Sequence, residues 1–193
     1  MVNKFFLFVA KDIIINPIKT WESIDSENRS VSVIRNLFLF PLILLVSVAA
    51  FAGSLIYTNS ELPTIYSVFE GIKCFIIFYI TIYATSLILK EITYPLDLGR
   101  NFGVSFRLIS YSVVPLLICQ IVSRFFESLL FVNVLALFGL YILWTGIEKM
   151  LAPQIYKKIP LLVATSISFI GIYFATDFIF TKLINKIYNA FFA

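Results

Sequence analysis

Residues 37–57 read LFLFPLILLVSVAAFAGSLIY, and no charged side chain interrupts them. A helix needs about 20 mostly apolar residues to cross the roughly 30 Å of hydrocarbon in a bilayer, so this stretch predicts a transmembrane helix. The composition agrees, because 60% of the 193 residues are hydrophobic, 13% are charged and the mean hydropathy is +0.96. Soluble domains carry about 25% charged residues. The sequence therefore predicts an integral membrane protein with a single domain over residues 1–193.

Four further stretches are apolar enough to cross a membrane when the chain is read from one charged residue to the next. The five predicted spans cover residues 36–58, 68–90, 106–123, 128–148 and 160–179. The uncharged parts of the second and third spans are shorter than the hydrocarbon core, so the charges at their ends must reach outward or pair with each other. The predicted fold is all-α: a polytopic membrane protein in which five transmembrane helices form a bundle.

Residues 1–30 precede the first span and predict two amphipathic helices on the cytoplasmic face. The apolar face of the first helix comprises Phe5, Phe6, Phe8, Val9 and Ile13. The second helix starts at Asn16-Pro17, because Asn is a good N-cap and Pro suits the first helical turn. Trp21 lies on its apolar side and is predicted to anchor it at the membrane interface, where Trp is common. Packing of both helices across the end of the bundle is the alternative.

The Lys and Arg residues are distributed unevenly between the two sides of the predicted bundle. With the amino terminus inside, eleven of the 15 Lys and Arg residues fall on the cytoplasmic side and four on the other side. Such residues accumulate in cytoplasmic loops. The sequence thus predicts a cytoplasmic amino terminus and a carboxyl terminus outside. The net charge of +4 follows from this topology, and no nucleic-acid-binding signature accompanies it.

Several residue types that catalytic sites require are missing from the chain. It contains no histidine, which excludes Ser-His and Cys-His nucleophile pairs, HExxH zinc sites and histidine ligands of haem. Cys74 and Cys119 are too few for a four-ligand zinc site or a disulfide framework. We therefore expect no catalytic, cofactor-binding or metal-binding residues, and no cofactor.

Ionisable side chains within or beside the spans are the best functional candidates, because a charge is costly in hydrocarbon. Arg107 and Glu148 lie at the cytoplasmic ends of the third and fourth spans, which a short hairpin makes antiparallel, and we expect them to pair. At the opposite ends, Glu70, Lys73 and Asp177 predict either ion pairs or a polar pocket for a headgroup or an ion. The same outer group includes Arg124, Gln120 and Asn133.

Pro115 lies inside the third span, in the run Tyr111-Ser112-Val113-Val114-Pro115. Proline removes a backbone hydrogen bond and predicts a kink, which is either a fixed bend or a hinge. The hydroxyls of Ser110 and Ser112 are expected to satisfy part of the freed backbone. Tyr111 and Pro115 are therefore further candidates.

Small residues at four-residue steps predict close packing between helices in lipid. The first span contains Ala49 and Gly53 at this spacing, and the fifth span contains Gly171 and Ala175. We expect packing seams within the bundle at both places.

Four short motifs, taken in order, resemble the Yip family of membrane proteins, the Ypt/Rab-interacting proteins and their bacterial relatives. They are Asn16-Pro17-x-x-x-Trp21-x-x-Ile24, Gly103-x-Ser105-Phe106-Arg107, Tyr111-Ser112-x-x-Pro115 and Leu140-Tyr141-x-x-Trp144-x-Gly146-Ile147. The resemblance covers about residues 10–180 and implies a five-helix integral membrane protein with a cytosolic amino terminus.

In eukaryotes the family is associated with Rab GTPases and vesicle traffic. The Asp-Leu-Tyr-Gly-Pro motif is absent before the first span, and the short amino-terminal segment is similar to the prokaryotic branch of the family. The resemblance therefore implies a prokaryotic cytoplasmic (inner) membrane, and Rab binding is not carried over.

These observations favour a non-enzymatic membrane protein that organises lipids or partner proteins within the bilayer. A membrane-protein partner or a homo-oligomer is the expected kind of assembly. The alternative is a lipid- or ion-translocating protein, a small transporter or scramblase-like, with Pro115 as its hinge. An intramembrane enzyme is a third alternative, but no nucleophile or metal site at suitable spacing supports it.

Overall fold

The computed structural model describes residues 2–58 and 62–191, and these residues form helices and no strand. The α-helices are α1 (Val2–Ile15), α2 (Pro17–Glu27), α3 (Val31–Ile34), α4 (Phe40–Tyr57), α5 (Pro63–Thr93), α6 (Phe102–Ser112), α7 (Val114–Phe125), α8 (Phe138–Met150) and α9 (Ile155–Phe191). A π-helical turn at Arg35–Leu39 and 3-10 segments at Tyr94–Leu96 and Glu127–Leu137 connect some of them. The side chains of residues 2–7, 127, 189 and 191, including the predicted apolar Phe5 and Phe6, lie outside the described part.

Five helical segments are long and apolar enough to cross a membrane, so the predicted all-α bundle is confirmed. They are span 1 (Val31–Tyr57), span 2 (Pro63–Leu96), span 3 (Phe102–Phe125), span 4 (Ser128–Met150) and span 5 (Ile155–Tyr188). All five are longer than predicted, because charged residues do not end the helices. Lys158 and Lys182, for example, lie inside span 5, outside its predicted bounds of 160–179.

Span 3 occupies the middle of the bundle and span 5 lies at its edge. The most apolar 18-residue stretch of span 3 is 72% buried, whereas that of span 5 is 11% buried. Span 2 packs against spans 1, 3 and 5, and span 3 packs against spans 1, 2 and 4. A short hairpin at residues 124–127 joins spans 3 and 4, which are antiparallel neighbours as predicted. Span 5 therefore presents most of its surface to lipid.

Span 3 is interrupted two residues before Pro115, where the sequence predicts a kink. α6 ends at Ser112 and α7 begins one residue after Val113, so Pro115 lies in the first turn of α7, where a missing N–H is tolerated. The backbone N–H of Val113 reaches the Ile109 carbonyl at 3.1 Å. The expected role of Ser110 and Ser112 is wrong, because neither buried hydroxyl has a hydrogen-bond partner in the described part of the chain.

The amino-terminal helices are part of the bundle. α2 starts at Pro17, and the Asn16 side chain accepts a hydrogen bond from the backbone N–H of Lys19, as the sequence predicts. α2 packs against α8, and Trp21 is fully buried between them. The expectation that Trp21 anchors the helix among lipid headgroups is therefore wrong, and the packing alternative describes it. An apolar helix face suits both surroundings, which is why the sequence could not separate them.

Candidate functional site

A polar cavity at the end of the bundle remote from α2 brings together most of the outer candidates. Its volume is about 580 Å³, and all five spans contribute to its wall. This lies within the range of about 300–1,000 Å³ that ligand sites occupy. We call it the distal cavity. Its charged and hydrogen-bonding lining includes Glu70, Lys73, Gln120, Ser123, Arg124 and Asn133.

Lys73 and Glu70 form a buried ion pair on one face of α5. Lys73 Nζ lies 2.7 Å from Glu70 Oε1, and the two side chains are only 8% and 14% exposed. Lys73 also donates to Thr181 Oγ1 of α9 at 3.4 Å. Charges inside a membrane protein are tolerated when they are paired. The pair therefore neutralises both groups and ties span 2 to span 5.

Arg124 enters the cavity from the last turn of α7, where the backbone of span 1 comes very close. A Cβ atom added at Gly53 would collide with the Arg124 carbonyl group, whose carbon would lie 2.9 Å away. The predicted seam in span 1 is thus confirmed at Gly53, where it sets the position of Arg124. The seam predicted in span 5 is wrong, because Gly171 and Ala175 are exposed and nothing lies within 4 Å of a Cβ added at Gly171. Arg124 Nη1 lies 4.0 Å from Glu70 Oε2, too far for a hydrogen bond.

The side-chain amides of Gln120 and Asn133 form a hydrogen-bonded chain that holds the Arg124 guanidinium in place. Its Nε donates to Gln120 Oε1 at 3.2 Å, and Gln120 Nε2 donates to Asn133 Oδ1 at 3.2 Å. Ser123 Oγ donates to the same Asn133 oxygen at 3.3 Å. The Tyr173 hydroxyl is a further partner of Arg124. Gln120 and Tyr173 together engage only part of the five N–H groups of the guanidinium, so the others can donate to a ligand.

The described side chains that line the distal cavity carry more positive than negative charge. They include two cations, Lys73 and Arg124, and one carboxylate, Glu70. Because Glu70 lies closer to Lys73 than to Arg124, Arg124 has the weaker carboxylate partner. Asp177, half-buried on α9 one turn beyond Tyr173, lies outside this lining but acts electrostatically on Tyr173 as Arg124 does, and it offsets part of the positive charge. The cavity is therefore suited to an anionic group.

A second group of candidates meets at the opposite end, between α2, span 3 and span 4. Trp21 Nε1 donates to the Ile142 carbonyl at 3.0 Å. The Trp21 ring meets the buried Tyr111 ring edge-on, with centroids 5.9 Å apart. It also lies against Gly146, where an added Cβ would be 2.6 Å from Cζ2. We call this cluster of four residues the Trp21 contact; its enclosed rings indicate a structural junction.

The predicted pair between Arg107 and Glu148 is wrong. Arg107 is 5% exposed and donates from Nη1 to Asn28 Oδ1 at 2.5 Å. Glu148 binds Lys158, whose Nζ lies 3.7 Å from the centre of the Trp144 ring. Both residues are at the same end of the bundle, but the rotation of each helix turns Arg107 inward and the Glu148 side chain, 61% exposed, outward.

Three partners were missed by the sequence reasoning. Tyr173 lies four residues before Asp177 on α9, so helical spacing from a chosen candidate could have found it. Ser123 lies three residues after Gln120 on α7, so the same spacing could have found it. Asn28 carries no such signal, because its role depends on a contact with Arg107, 79 residues away. Within residues 2–58 and 62–191, no group of three or more Asp, Glu or Cys side chains could hold a metal ion.

Comparison with known proteins gives one match. The family model of the Yip1 domain matches residues 11–179, a range that includes both the Trp21 contact and the residues named above for the distal cavity. No curated protein and no solved structure matches the chain.

Proposed function

The chain belongs to the Yip1 domain family, and we propose that it is a non-enzymatic multi-pass protein that organises membrane lipids by binding their phosphate groups in the distal cavity. The observation that carries this proposal is the Arg124 guanidinium. It is held by Gln120 through Nε, it lies 4.0 Å from the Glu70 carboxylate, too far for a hydrogen bond, and it gives the described lining of the cavity an excess of positive charge. A guanidinium binds phosphate through paired, charge-assisted hydrogen bonds.

The position of the cavity supports a lipid as the source of the phosphate. Its wall consists of the ends of membrane spans, such as Tyr57 of span 1 and Arg124 of span 3. Spans end where the hydrocarbon meets the headgroup region. A phospholipid of the same leaflet therefore has its phosphate at the depth of Arg124.

The orientation of the chain is part of the proposal. The excess of Lys and Arg at the end that carries α2 supports a cytoplasmic amino terminus in a prokaryotic inner membrane, which places the distal cavity in the outer leaflet. Exposed single-cysteine variants test this: in intact cells, an impermeant maleimide should label Ser128→Cys but not Ser26→Cys. The reverse pattern contradicts the orientation.

Lipid retention tests the function directly. The protein is extracted mildly, and native mass spectrometry counts the phospholipid that remains bound. Arg124→Gln should lower retention about ten- to a hundredfold, because a hydrogen bond to a charged group contributes roughly 1.5–3 kcal/mol. The matched control is Arg100→Gln, an exposed arginine that pairs with Glu91 far from the cavity.

Equal retention by the two variants would overturn the proposal. If Arg124→Gln fails to fold, Leu130→Trp, which narrows the cavity from an exposed position, takes its place and should also lose the lipid. Complete displacement of the lipid by millimolar inorganic phosphate would identify free phosphate as the ligand and contradict a lipid. Transfer of labelled lipid across vesicles containing the protein would favour translocation over organisation.

A further inference from the structure

A second cavity lies between spans 3, 4 and 5, deeper in the membrane than the distal cavity. Its volume is about 210 Å³, and its wall is almost entirely apolar. Leu116 of span 3, Ala136 of span 4, and Phe169 and Ile170 of span 5 form part of this wall. We call it the apolar slot. Ile109 and Leu116 line it along span 3, which corresponds to a length of about 10 Å at 1.5 Å per residue.

The apolar slot continues the distal cavity on all three of these spans. Leu116 precedes Gln120 by one helical turn, and Ala136 follows Asn133 by one turn of the 3-10 segment. Ile170 precedes Tyr173 by about one turn of α9. One turn of helix is about 5–6 Å. The two cavities therefore lie about one helical turn apart, with the slot on the side of the Arg124 network that faces the centre of the membrane.

Spans 3 and 4 touch midway along the slot. A Cβ at Gly139 would lie 2.7 Å from the Ser112 carbonyl oxygen, next to the interruption at Val113. The lining continues past this contact to Ile109 and Leu143 on one side and to Leu116 and Ala136 on the other. The contact therefore forms part of the side wall of the slot, which extends from there toward the polar end.

We infer that the apolar slot holds one acyl chain of the phospholipid whose phosphate lies in the distal cavity. The inference rests on the proposed function and adds the hydrophobic half of the ligand. The distal cavity, which is positively charged and offers hydrogen bonds, lies nearer the membrane surface than the apolar slot. A phospholipid has its phosphate and its acyl chains in the same order. The cavity and the slot together therefore fit a lipid with a long chain better than they fit a soluble phosphate ester.

The slot is expected to select its ligand by shape and not through a gain in hydrophobic free energy. Hydrocarbon tails are as apolar in the bilayer as they are in the slot, so the chain gains only packing contacts when it enters. Filling the slot should therefore act by excluding the chain sterically. Headgroup contacts made by Arg124 should remain intact in such a variant.

The experiment measures binding of two probes to the protein in nanodiscs. One probe is dioleoyl-phosphatidylglycerol, and the other is dihexanoyl-phosphatidylglycerol, which has the same headgroup and short chains. Ala136→Phe fills the slot, and Ala175→Phe adds the same bulk on the exposed face of α9. We expect wild-type protein and Ala175→Phe to prefer the long-chain probe about fivefold or more, and Ala136→Phe to lose that preference while binding the short-chain probe normally.

Two results would contradict the assignment of the slot to an acyl chain without bearing on the proposed phosphate site. One is equal binding of both probes by wild-type protein, and the other is an unchanged preference in Ala136→Phe. Failure of wild-type protein to bind either probe would instead refute the proposed function itself. If Ala136→Phe does not fold, Ile170→Trp on the opposite wall replaces it, with the same expected loss of preference.

Discussion

A methyl group at Gly146 would lie 2.6 Å from Cζ2 of Trp21, which leaves no room for a side chain between α2 and α8. The same indole donates to the Ile142 carbonyl at 3.0 Å. The amino-terminal helix and span 4 are therefore locked by a contact that depends on the absence of a Cβ. The amino-terminal segment, which the sequence predicts to rest on the membrane, is a fixed part of the bundle.

Gly146→Ala should destabilise the protein. The added methyl group forces the Trp21 ring to move, and overpacking of this kind costs about 1–3 kcal/mol. Gly171→Ala is the matched control, because nothing lies within 4 Å of a Cβ added there. Thermal unfolding in detergent checks both variants. Equal midpoint temperatures would show that α2 moves to accommodate the methyl group without a loss of stability.

Glu70→Gln should lower stability far more than Glu22→Gln. Removing one partner of a buried ion pair costs about 3–5 kcal/mol, because Lys73 stays buried without a counter-charge. The pair of Glu22 and Lys149 is exposed, and solvent screening leaves such pairs little effect on stability. Denaturant unfolding compares the two variants, and similar losses would mean that water reaches Lys73.

The contact between α2 and α8 should weaken in acid. The hydrogen bond from Lys149 holds the pKa of Glu22 below its ordinary value of 4.5. Because the folded-state pKa is lowered, the stabilisation is fully present above pH 4.5 and is lost as the pH falls through the folded-state value. The amide protection factors of α2, which correct for the slower intrinsic exchange in acid, should be lower below pH 4.5 than at pH 6 in wild-type protein, and Glu22→Gln should remove this dependence. A decrease of equal size in the variant would assign the effect to another group.

The coupling energy between Arg107 and Asn28 should exceed the coupling energy between Arg107 and Glu148. A double-mutant cycle between Asn28→Gly and Arg107→Ala should give about 1.5–3 kcal/mol, since the bond involves a charged donor. Glycine suits the left-handed backbone of Asn28, whose φ is 41°, so the cycle isolates the side chain. The cycle between Arg107→Ala and Glu148→Gln should stay within about 0.5 kcal/mol. The opposite ranking would restore the pair expected from the sequence.

The number and order of the spans could be predicted because hydrocarbon thickness sets a length that only apolar runs satisfy. Their ends could not, because charged residues such as Lys158 and Lys182 lie within span 5 and do not mark its boundaries. The partners of Arg107 and Glu148 depend on how each helix is rotated about its own axis. The positions of charged residues along the sequence do not determine that rotation. Trp21 shows a similar limit, since an apolar helix face suits lipid and protein equally well.

The most direct test of the lipid site is the distance between Arg124 and a lipid phosphate. Solid-state NMR of protein labelled with ¹⁵N-arginine, in phosphatidylglycerol bilayers, detects guanidinium groups through their dipolar coupling to ³¹P. The chain contains five arginines, so wild-type spectra are compared with those of Arg124→Gln and Arg100→Gln. The account predicts a strongly coupled guanidinium signal that Arg124→Gln removes and Arg100→Gln retains. An identical set of coupled signals in wild-type protein and Arg124→Gln would contradict it.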